Sequence, residues 1–123
     1  MLKIYIAHSR EIDFINELYN PLKNCNELYK YELILPHERK QENNNNRIFY
    51  KNLDMIIADV SRPSTGLGIE LGWAYDDNIK IYCIYKKGFK YSSSLKAVSD
   101  NFYEYSNELE LIDIIKKIIS GHK

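Results

Sequence analysis

Short apolar stretches alternate along this chain with segments of helical periodicity, and this alternation limits the folds open to it. Four stretches rich in β-branched and aromatic residues read as strands, and a weaker fifth follows them: residues 2–7, 31–35, 55–60, 80–85 and 101–105. Segments with apolar residues three or four apart lie between them and read as helices. Strands joined through helices form right-handed βαβ crossovers. The pattern therefore predicts a parallel sheet with helices on both faces.

Capping residues predict where two of the helices begin and end. Ser9 is expected to cap the first helix, with Glu11 and Asp13 in its first turn, where a helix N-terminus favours negative charge. Asn20-Pro21 is expected to end or kink that helix. Ser106 is expected to open the last helix.

The chain is predicted to form one domain, residues 1–123. Its length is that of a single ordinary domain, and no repeat, linker or shift in composition divides it. Hydrophobic residues make up 45% and charged residues 28%, which is typical of a globular chain with a buried core and argues against general disorder.

The charge balance and the cysteine content limit the partners and the location of the protein. Lys and Arg number 17, as do Asp and Glu, so we expect no general attraction to nucleic acid or to an anionic membrane. No apolar stretch is long enough for a bilayer, and the first residues enter a strand pattern without the features of a signal peptide. Cys25 and Cys83 are too few for a disulfide framework, so free thiols and a cytoplasmic location are expected.

The stretch from Asp54 to Ala74 carries the strongest functional signal. It reads as a buried strand, a turn of small residues, and a helix with Glu70 in its first two turns. Gly66 and Gly68 allow close backbone approach, and the first amides of the helix can bind an anion. The pattern indicates a phosphate pocket beside a carboxylate, which suits chemistry on a phosphorylated sugar. A glycine-rich helix start that only packs on the sheet is the structural alternative.

The same stretch resembles a known family signature. Strand-Asp59-Val-Ser-x-Pro-Ser-x-Gly-x-Gly-x-Glu70-Leu-Gly-x-Ala is similar to that of the nucleoside 2-deoxyribosyltransferase superfamily, closest to its 2′-deoxynucleoside 5′-monophosphate N-glycosidase branch. The resemblance extends to Lys3-Ile-Tyr-Ile-Ala-His-Ser9, to His37-Glu38 and to the serines at 92–94. It covers most of the chain as one nucleoside 2-deoxyribosyltransferase-like domain. With the strand pattern it predicts a three-layer α/β sandwich whose five-stranded parallel sheet has the flavodoxin- or Rossmann-like order 2-1-3-4-5.

The resemblance implies roles for two catalytic side chains. Glu70 matches the family's catalytic glutamate, which attacks the anomeric carbon of the sugar or stabilises its positive charge. A carboxylate suits that task because N-glycosidic cleavage passes through an oxocarbenium-like state. Tyr5 matches the first-strand tyrosine that positions the sugar and the carboxylate. A strand tyrosine packed in the core is the alternative for Tyr5.

A site for the 5′-phosphate is implied as well, with Ser93 or Ser94 contributed by the same chain or by a second subunit. Ser64 stands where transferases of unphosphorylated nucleosides tend to carry an aspartate, and a neutral donor tolerates a phosphate that a carboxylate would repel. For the serines, helix capping is the alternative, and for Arg10 a solvated surface position. The residues implied in phosphate binding are Ser9, Arg10, Ser64, Gly66, Gly68, Ser93 and Ser94.

Two positions depart from the pattern of this branch. Asn46 stands where the branch usually has an aspartate that acts as acid or base for the departing nucleobase. An amide can form a hydrogen bond to the base but cannot exchange a proton with it. Either Glu38 or Glu42 takes over that role, or activity is low, or the chemistry has changed. His8 stands where the branch usually has glycine, and it binds phosphate, narrows the pocket, or is a plain loop histidine.

The expected function is hydrolysis of the N-glycosidic bond of a (deoxy)nucleoside 5′-monophosphate, which releases free base and (deoxy)ribose 5-phosphate. A nucleoside 2-deoxyribosyltransferase that exchanges bases is one alternative. A catalytically silent nucleotide-binding protein is another, which Asn46 makes credible. No cofactor is expected, and His37-Glu38 lacks the spacing of a zinc site. The family pattern implies a homodimer, with Trp73, Tyr75 and the aromatic residues of 102–105 as interface anchors; core packing is the alternative for Trp73.

Overall fold

A computed structural model describes residues 1–38 and 50–122 of the chain. Its sheet has five strands in the order β2-β1-β3-β4-β5, and every neighbouring pair runs parallel. This confirms the predicted fold class and strand order. The strands are β1 (Lys3–His8), β2 (Glu32–Ile34), β3 (Met55–Asp59), β4 (Lys80–Lys86) and β5 (Phe102–Tyr105).

Helical segments connect the strands. A π-helical turn continues directly into the first α-helix, and two longer α-helices follow β3 and β5. Three 3₁₀ turns occupy Asn26–Lys30, Pro36–Glu38 and Ser93–Ala97. The π-helical turn is Ile15–Tyr19, and the α-helices are α1 (Asn20–Lys23), α2 (Thr65–Asp76) and α3 (Glu108–Gly121).

The first helical segment starts later than predicted, and it does not end at Asn20-Pro21. Ser9 does not cap it, because its Oγ accepts a hydrogen bond from the amide two residues later, at 3.0 Å, in a turn before the helix. The carboxylate of Asp13 accepts from the backbone N and the side-chain Nδ2 of Asn16, at 3.4 and 3.1 Å. Pro21 lies where the π-helical turn passes into α1. The helical segment thus changes type at Asn20-Pro21 and continues beyond it.

The cap of α2 is the alternative that the sequence left open for Ser64, and the cap of α3 differs by one residue from the prediction. Ser64 caps α2 and accepts from the backbone N of Leu67 at 3.3 Å. The cap of α3 is Asn107, which accepts from the backbone N of Glu110 at 2.9 Å. The prediction of Ser106 was wrong because its amide donates to the Glu110 carboxylate instead, at 2.7 Å.

The core has two layers, one on each face of the sheet. Ile4 and Ile6 face the layer that contains α1 and α3, whereas Tyr5 and Ala7 face the layer that contains α2. This split follows from the alternation of side chains along a strand. Tyr5 is fully buried and lies on the same side of the sheet as α2, the helix that carries Glu70.

Two observations concern membrane-spanning helices and the two cysteines. Within the part of the chain that the structure describes, no helix combines the length and the apolar character needed to cross a membrane. Cys25 and Cys83 are free thiols, as predicted. Burial raises the pKa of the Cys83 thiol to about 11, so this buried side chain is protonated and unreactive at neutral pH.

Candidate active site

A cavity of about 360 Å³ is lined by residues from the end of β1, from the turn after β2, and from the start of α2. The carboxyl ends of parallel strands are where open α/β sheets bind ligands. The cavity brings together most of the residues that the sequence singled out. Its lining includes Tyr5, His8, Ser9, Arg10, Ser64, Gly66 and Glu70.

The carboxylate of Glu70 is held by two tyrosine hydroxyls. Tyr5 donates to Glu70 Oε2 at 2.9 Å, and Tyr50 donates to the same oxygen at 2.6 Å. The two tyrosine rings contact each other edge to face, with centroids 5.3 Å apart. Tyr50 also packs against Trp73, with centroids 5.8 Å apart. The carboxylate is therefore fixed in direction by donors from two separate parts of the chain.

Burial and hydrogen bonding act on Glu70 in opposite directions. Burial raises the pKa of the Glu70 carboxyl, whereas the hydrogen bonds from Tyr50 and Tyr5 lower it, and the rise is the larger effect. Burial and the neighbouring carboxylate raise the pKa of Tyr5 far above its usual range. Tyr5 thus stays protonated and remains a donor.

Replacement of Tyr50 by Phe is expected to raise the pKa of Glu70 further. The change removes a donor that stabilises the ionised carboxylate but keeps the ring. The titration midpoint of the Glu70 carboxyl carbon, followed by NMR in protein labelled at the glutamate carboxyls, should move up by on the order of one pH unit. Tyr29→Phe is the matched control, because that hydroxyl donates to the Lys23 carbonyl on the surface. An unchanged midpoint in Tyr50→Phe would contradict the assigned hydrogen bond.

The sequence analysis did not identify Tyr50. It is one of eleven tyrosines, and no motif marks it. The one available signal was its place just before the predicted strand at 55–60. Its contact with Glu70 joins residues 20 positions apart, and periodicity alone does not give this.

The two predicted glycines differ in their position relative to the cavity. Gly66 lines it, whereas Gly68 is exposed and, among the described residues, is not part of the lining. A Cβ at Gly66 would lie 4.0 Å from Ser64 Oγ, and one at Gly68 would meet no described atom within 4 Å. Packing among the described residues therefore does not require glycine at either position. The close approach of an anion that the sequence indicates for these glycines stays a prediction.

The predicted phosphate-binding side chains fall into two groups. Ser9 is buried, Arg10 is exposed, and both line the cavity together with Ser64. Ser93 and Ser94 are exposed on the 3₁₀ turn after β4 and, among the described residues, lie outside the lining. The neighbouring Ser92 lines an adjacent pocket together with Ser64 and Thr65, so the serine turn lies beside the cavity although Ser93 and Ser94 do not line it.

His8 is buried with both ring nitrogens engaged. Nδ1 lies 2.9 Å from the Ser9 carbonyl oxygen, and Nε2 lies 2.6 Å from the Tyr19 hydroxyl. Burial lowers the pKa of His8, which favours the neutral ring. A carbonyl only accepts, so Nδ1 carries the proton and Nε2 accepts from Tyr19. The ring stacks on Phe14, with centroids 4.5 Å apart, and forms part of the cavity wall.

The residues considered for contact with the leaving base lie in different parts of the chain. Asn46 and Glu42 lie outside the described residues. Glu38 is exposed and forms an ion pair with Lys23 at 2.7 Å. His37, which follows Pro36, lines the cavity, and burial together with the charge of Arg10 lowers its pKa. Within residues 1–38 and 50–122, no group of three or more His, Cys, Asp or Glu side chains is placed to hold a metal ion.

Three solved structures are similar to this chain, and one of them is an N-glycosidase. The CMP N-glycosidase of Clostridium botulinum is 25% identical, with a TM-score of 0.61 over 93% of this chain and 98% of that one. A conserved protein from Enterococcus faecalis V583 is 18% identical, with a TM-score of 0.62 over 96% and 99% of the two chains. A de novo designed Rossmann 2x3 fold protein is 14% identical, with a TM-score of 0.59 over 100% and 94%.

These similarities differ in what they support. The Enterococcus and designed proteins support the Rossmann-like fold alone. The Clostridium enzyme extends the similarity, at a distance, to a protein of the glycosidase kind. No protein-family model matches the chain, and no curated protein matches it.

Proposed function

We propose that this protein hydrolyses the N-glycosidic bond of a nucleoside 5′-monophosphate and releases the free base and the sugar 5-phosphate. The observation that carries the proposal is the Glu70 carboxylate, which Tyr5 and Tyr50 hold in a cavity that Ser9 and Arg10 also line. A fixed carboxylate beside anion-binding groups suits a phosphorylated sugar. The likeness to a CMP N-glycosidase supports the same class of reaction and makes CMP the first substrate to test.

Glu70 acts on the anomeric carbon of the sugar. As the bond from that carbon to the base nitrogen breaks, its electron pair leaves with the base, and the carboxylate either bonds to the carbon or balances its positive charge. In both routes water then adds to the same carbon and loses a proton, and in the covalent route this step also releases the carboxylate. The hydrogen bonds from Tyr5 and Tyr50 to Oε2 hold the group in place before the reaction, so little reorganisation is needed during it.

The departing base takes up a proton, and the placement of the candidate donors bears on which residue supplies it. Glu38 is paired with Lys23 on the surface, whereas the imidazole of His37 lines the cavity. We therefore add His37 to the two glutamates, Glu38 and Glu42, as a candidate donor to the base. An asparagine at position 46 would then orient the base by hydrogen bonding without exchanging a proton.

Base release from a panel of substrates tests the proposal. The purified protein is incubated with CMP, dCMP, the other nucleoside 5′-monophosphates and the matching nucleosides, and free base is measured by chromatography. We expect release from at least one monophosphate. A second base added to the reaction detects exchange, which would favour the transferase instead. A nucleotide that binds without release of base would point to a catalytically silent binding protein.

We also propose that the site is shared between two subunits of a homodimer. Ser93 and Ser94 are exposed and, among the described residues, do not line the cavity of their own chain, so a partner's cavity is a place where they could act. The outer face of α2 is apolar: Ile69 is 48% exposed and Tyr75 59% exposed. Exposed aromatic and aliphatic side chains of this kind are typical interface anchors. Trp73 is half-buried against Tyr50 and contributes less to that face.

Two inactive variants are expected to restore activity when mixed. Glu70→Ala lacks the carboxylate, and the double variant Ser93→Ala/Ser94→Ala lacks the hydroxyls. A hybrid dimer contains one site with both, so a fraction of wild-type turnover should return after subunit exchange. Each variant mixed with itself is the control, and sedimentation measures the oligomeric state. A monomer that turns over substrate at the full wild-type rate would exclude the shared site.

A further inference from the structure

Two residues of the cavity lining, His8 and His37, belong to a cluster of four rings that come from three parts of the chain. His8 stacks on Phe14, and Phe14 stacks on His37 with centroids 4.8 Å apart. Tyr19 packs against His8, with centroids 5.2 Å apart. His8 and His37 line the cavity. Tyr19 is 1% exposed and is not part of the lining among the described residues, so any effect it has on the cavity passes through its neighbours.

Hydrogen bonds connect these residues in a fixed direction. The backbone N–H of His37 donates to the Tyr19 hydroxyl at 3.2 Å. That hydroxyl donates to His8 Nε2 at 2.6 Å, and His8 Nδ1–H donates to the Ser9 carbonyl at 2.9 Å. The chain of bonds therefore begins at one residue of the cavity lining, His37, and ends at another, Ser9. A phenylalanine at position 19 would fill the same space but would break two of the three links.

We propose that Tyr19 and His8 are positioning residues that hold the backbone of His37 at the cavity wall, and that they do so only while His8 is neutral. The inference rests on the proposed function where it concerns turnover. The mechanical link itself does not depend on which reaction the cavity performs.

Protonation of His8 would disrupt the chain of hydrogen bonds from His37 to Ser9, because the ring would lose its acceptor nitrogen. The charged ring donates from both nitrogens, so Tyr19 oxygen would have to accept from His8 as well as from the His37 amide. The hydroxyl hydrogen of Tyr19 would then lose its acceptor inside the core, and a buried donor without a partner is costly. Either the ring of Tyr19 or the His37 backbone must move to relieve this.

The surroundings of His8 keep it neutral near physiological pH. Burial lowers the pKa of His8, and the charges of His37 and Arg10 act in the same direction. Asp59, which is its register partner on β3, and the Ser9 carbonyl act in the opposite direction. Burial also raises the pKa of Tyr19 to about 12, so its hydroxyl keeps its proton. The link is therefore intact at pH 7 and is lost as the pH falls below the ordinary range of histidine.

NMR on the wild-type protein tests the link without any assumption about catalysis. The ring of His8 and the backbone amides of His37 and Ser9 are followed between pH 7.5 and pH 4.5. We expect the His37 amide to shift with the same midpoint as the His8 ring. In Tyr19→Phe this shared midpoint should disappear, and in His8→Gln the His37 amide should lose that transition. A His37 amide that does not follow the His8 titration in the wild type would overturn the proposal.

Turnover provides the second readout. Tyr19→Phe should lower kcat/KM for the best nucleotide substrate by roughly tenfold at pH 7, the effect of a lost buried hydrogen bond on a positioned group. Tyr29→Phe, which removes an exposed hydroxyl outside the wall, should match the wild type. Unchanged kcat/KM in Tyr19→Phe would refute the positioning role. If no nucleotide is cleaved, the proposed function fails, and the NMR titration still decides whether the link exists.

Discussion

Glu70→Gln is expected to abolish base release, with kcat reduced at least roughly a thousandfold. Glutamine has nearly the same volume and its amide oxygen can still accept from Tyr5 and Tyr50, so the fold should persist. The amide cannot attack the anomeric carbon or balance its charge. Because that interaction exists mainly in the transition state, kcat should fall far more than substrate binding.

Matched measurements separate this effect from a loss of structure. Glu108→Gln removes one exposed carboxylate from the first turn of α3, away from the cavity, and should leave kcat unchanged. Circular dichroism and the thermal midpoint report the fold of both variants. A folded Glu70→Gln protein that releases base at the wild-type rate would remove Glu70 from the mechanism.

Removal of the 5′-phosphate from the substrate is expected to lower kcat/KM at least roughly tenfold. Hydrogen bonds to a charged group contribute about 1.5–3 kcal/mol each, and one such bond accounts for a tenfold effect or more. Ser9, Arg10 and the start of α2 line the cavity together, which provides several donors for one phosphate. CMP and cytidine, compared under the same conditions, give the measurement.

A variant tests whether the preference comes from this part of the cavity. Arg10→Ala should weaken turnover of the nucleotide more than that of the nucleoside, because the lost charge interacts with the phosphate. Lys117→Ala removes a cation from the exposed side of α3 and should affect both substrates equally little. Equal kcat/KM for CMP and cytidine in the wild type would contradict a phosphate site and would favour the transferase.

The sheet could be predicted from the sequence because its signals are local. Each strand is a short run of β-branched and aromatic residues, and the connections between them carry helical periodicity. The predicted strand order agrees with that of the structure. It places β1 next to β3, which brings Tyr5 close to Glu70. The roles assigned to these residues stay predictions.

Other parts of the site depend on contacts between distant segments, and the sequence does not show them. Tyr50 contacts Glu70 across 20 positions of sequence. In the sequence, Tyr19 is one aromatic residue on the apolar face of a predicted helix. The two hydrogen bonds of its hydroxyl depend on β1 and on the turn after β2, which lie beside it only in the folded chain. The late start of the first helical segment accompanies hydrogen bonds to Ser9 and to Asp13 in the residues before it, and the sequence does not distinguish these from a helix cap at Ser9.

The pairing of β1 with β3 has a consequence for how the protein is made. β1 is made before its partner β3, which follows only after about fifty residues, and Tyr5 meets Glu70 across 65 positions of sequence. Contacts so far apart cost loop-closure entropy before they stabilise the chain, and folds dominated by them form slowly. A nascent chain that stops before β3 therefore leaves one edge of the apolar strand β1 without its partner. During synthesis and refolding, the recovery of the candidate site should coincide with the last cooperative step of folding rather than precede it.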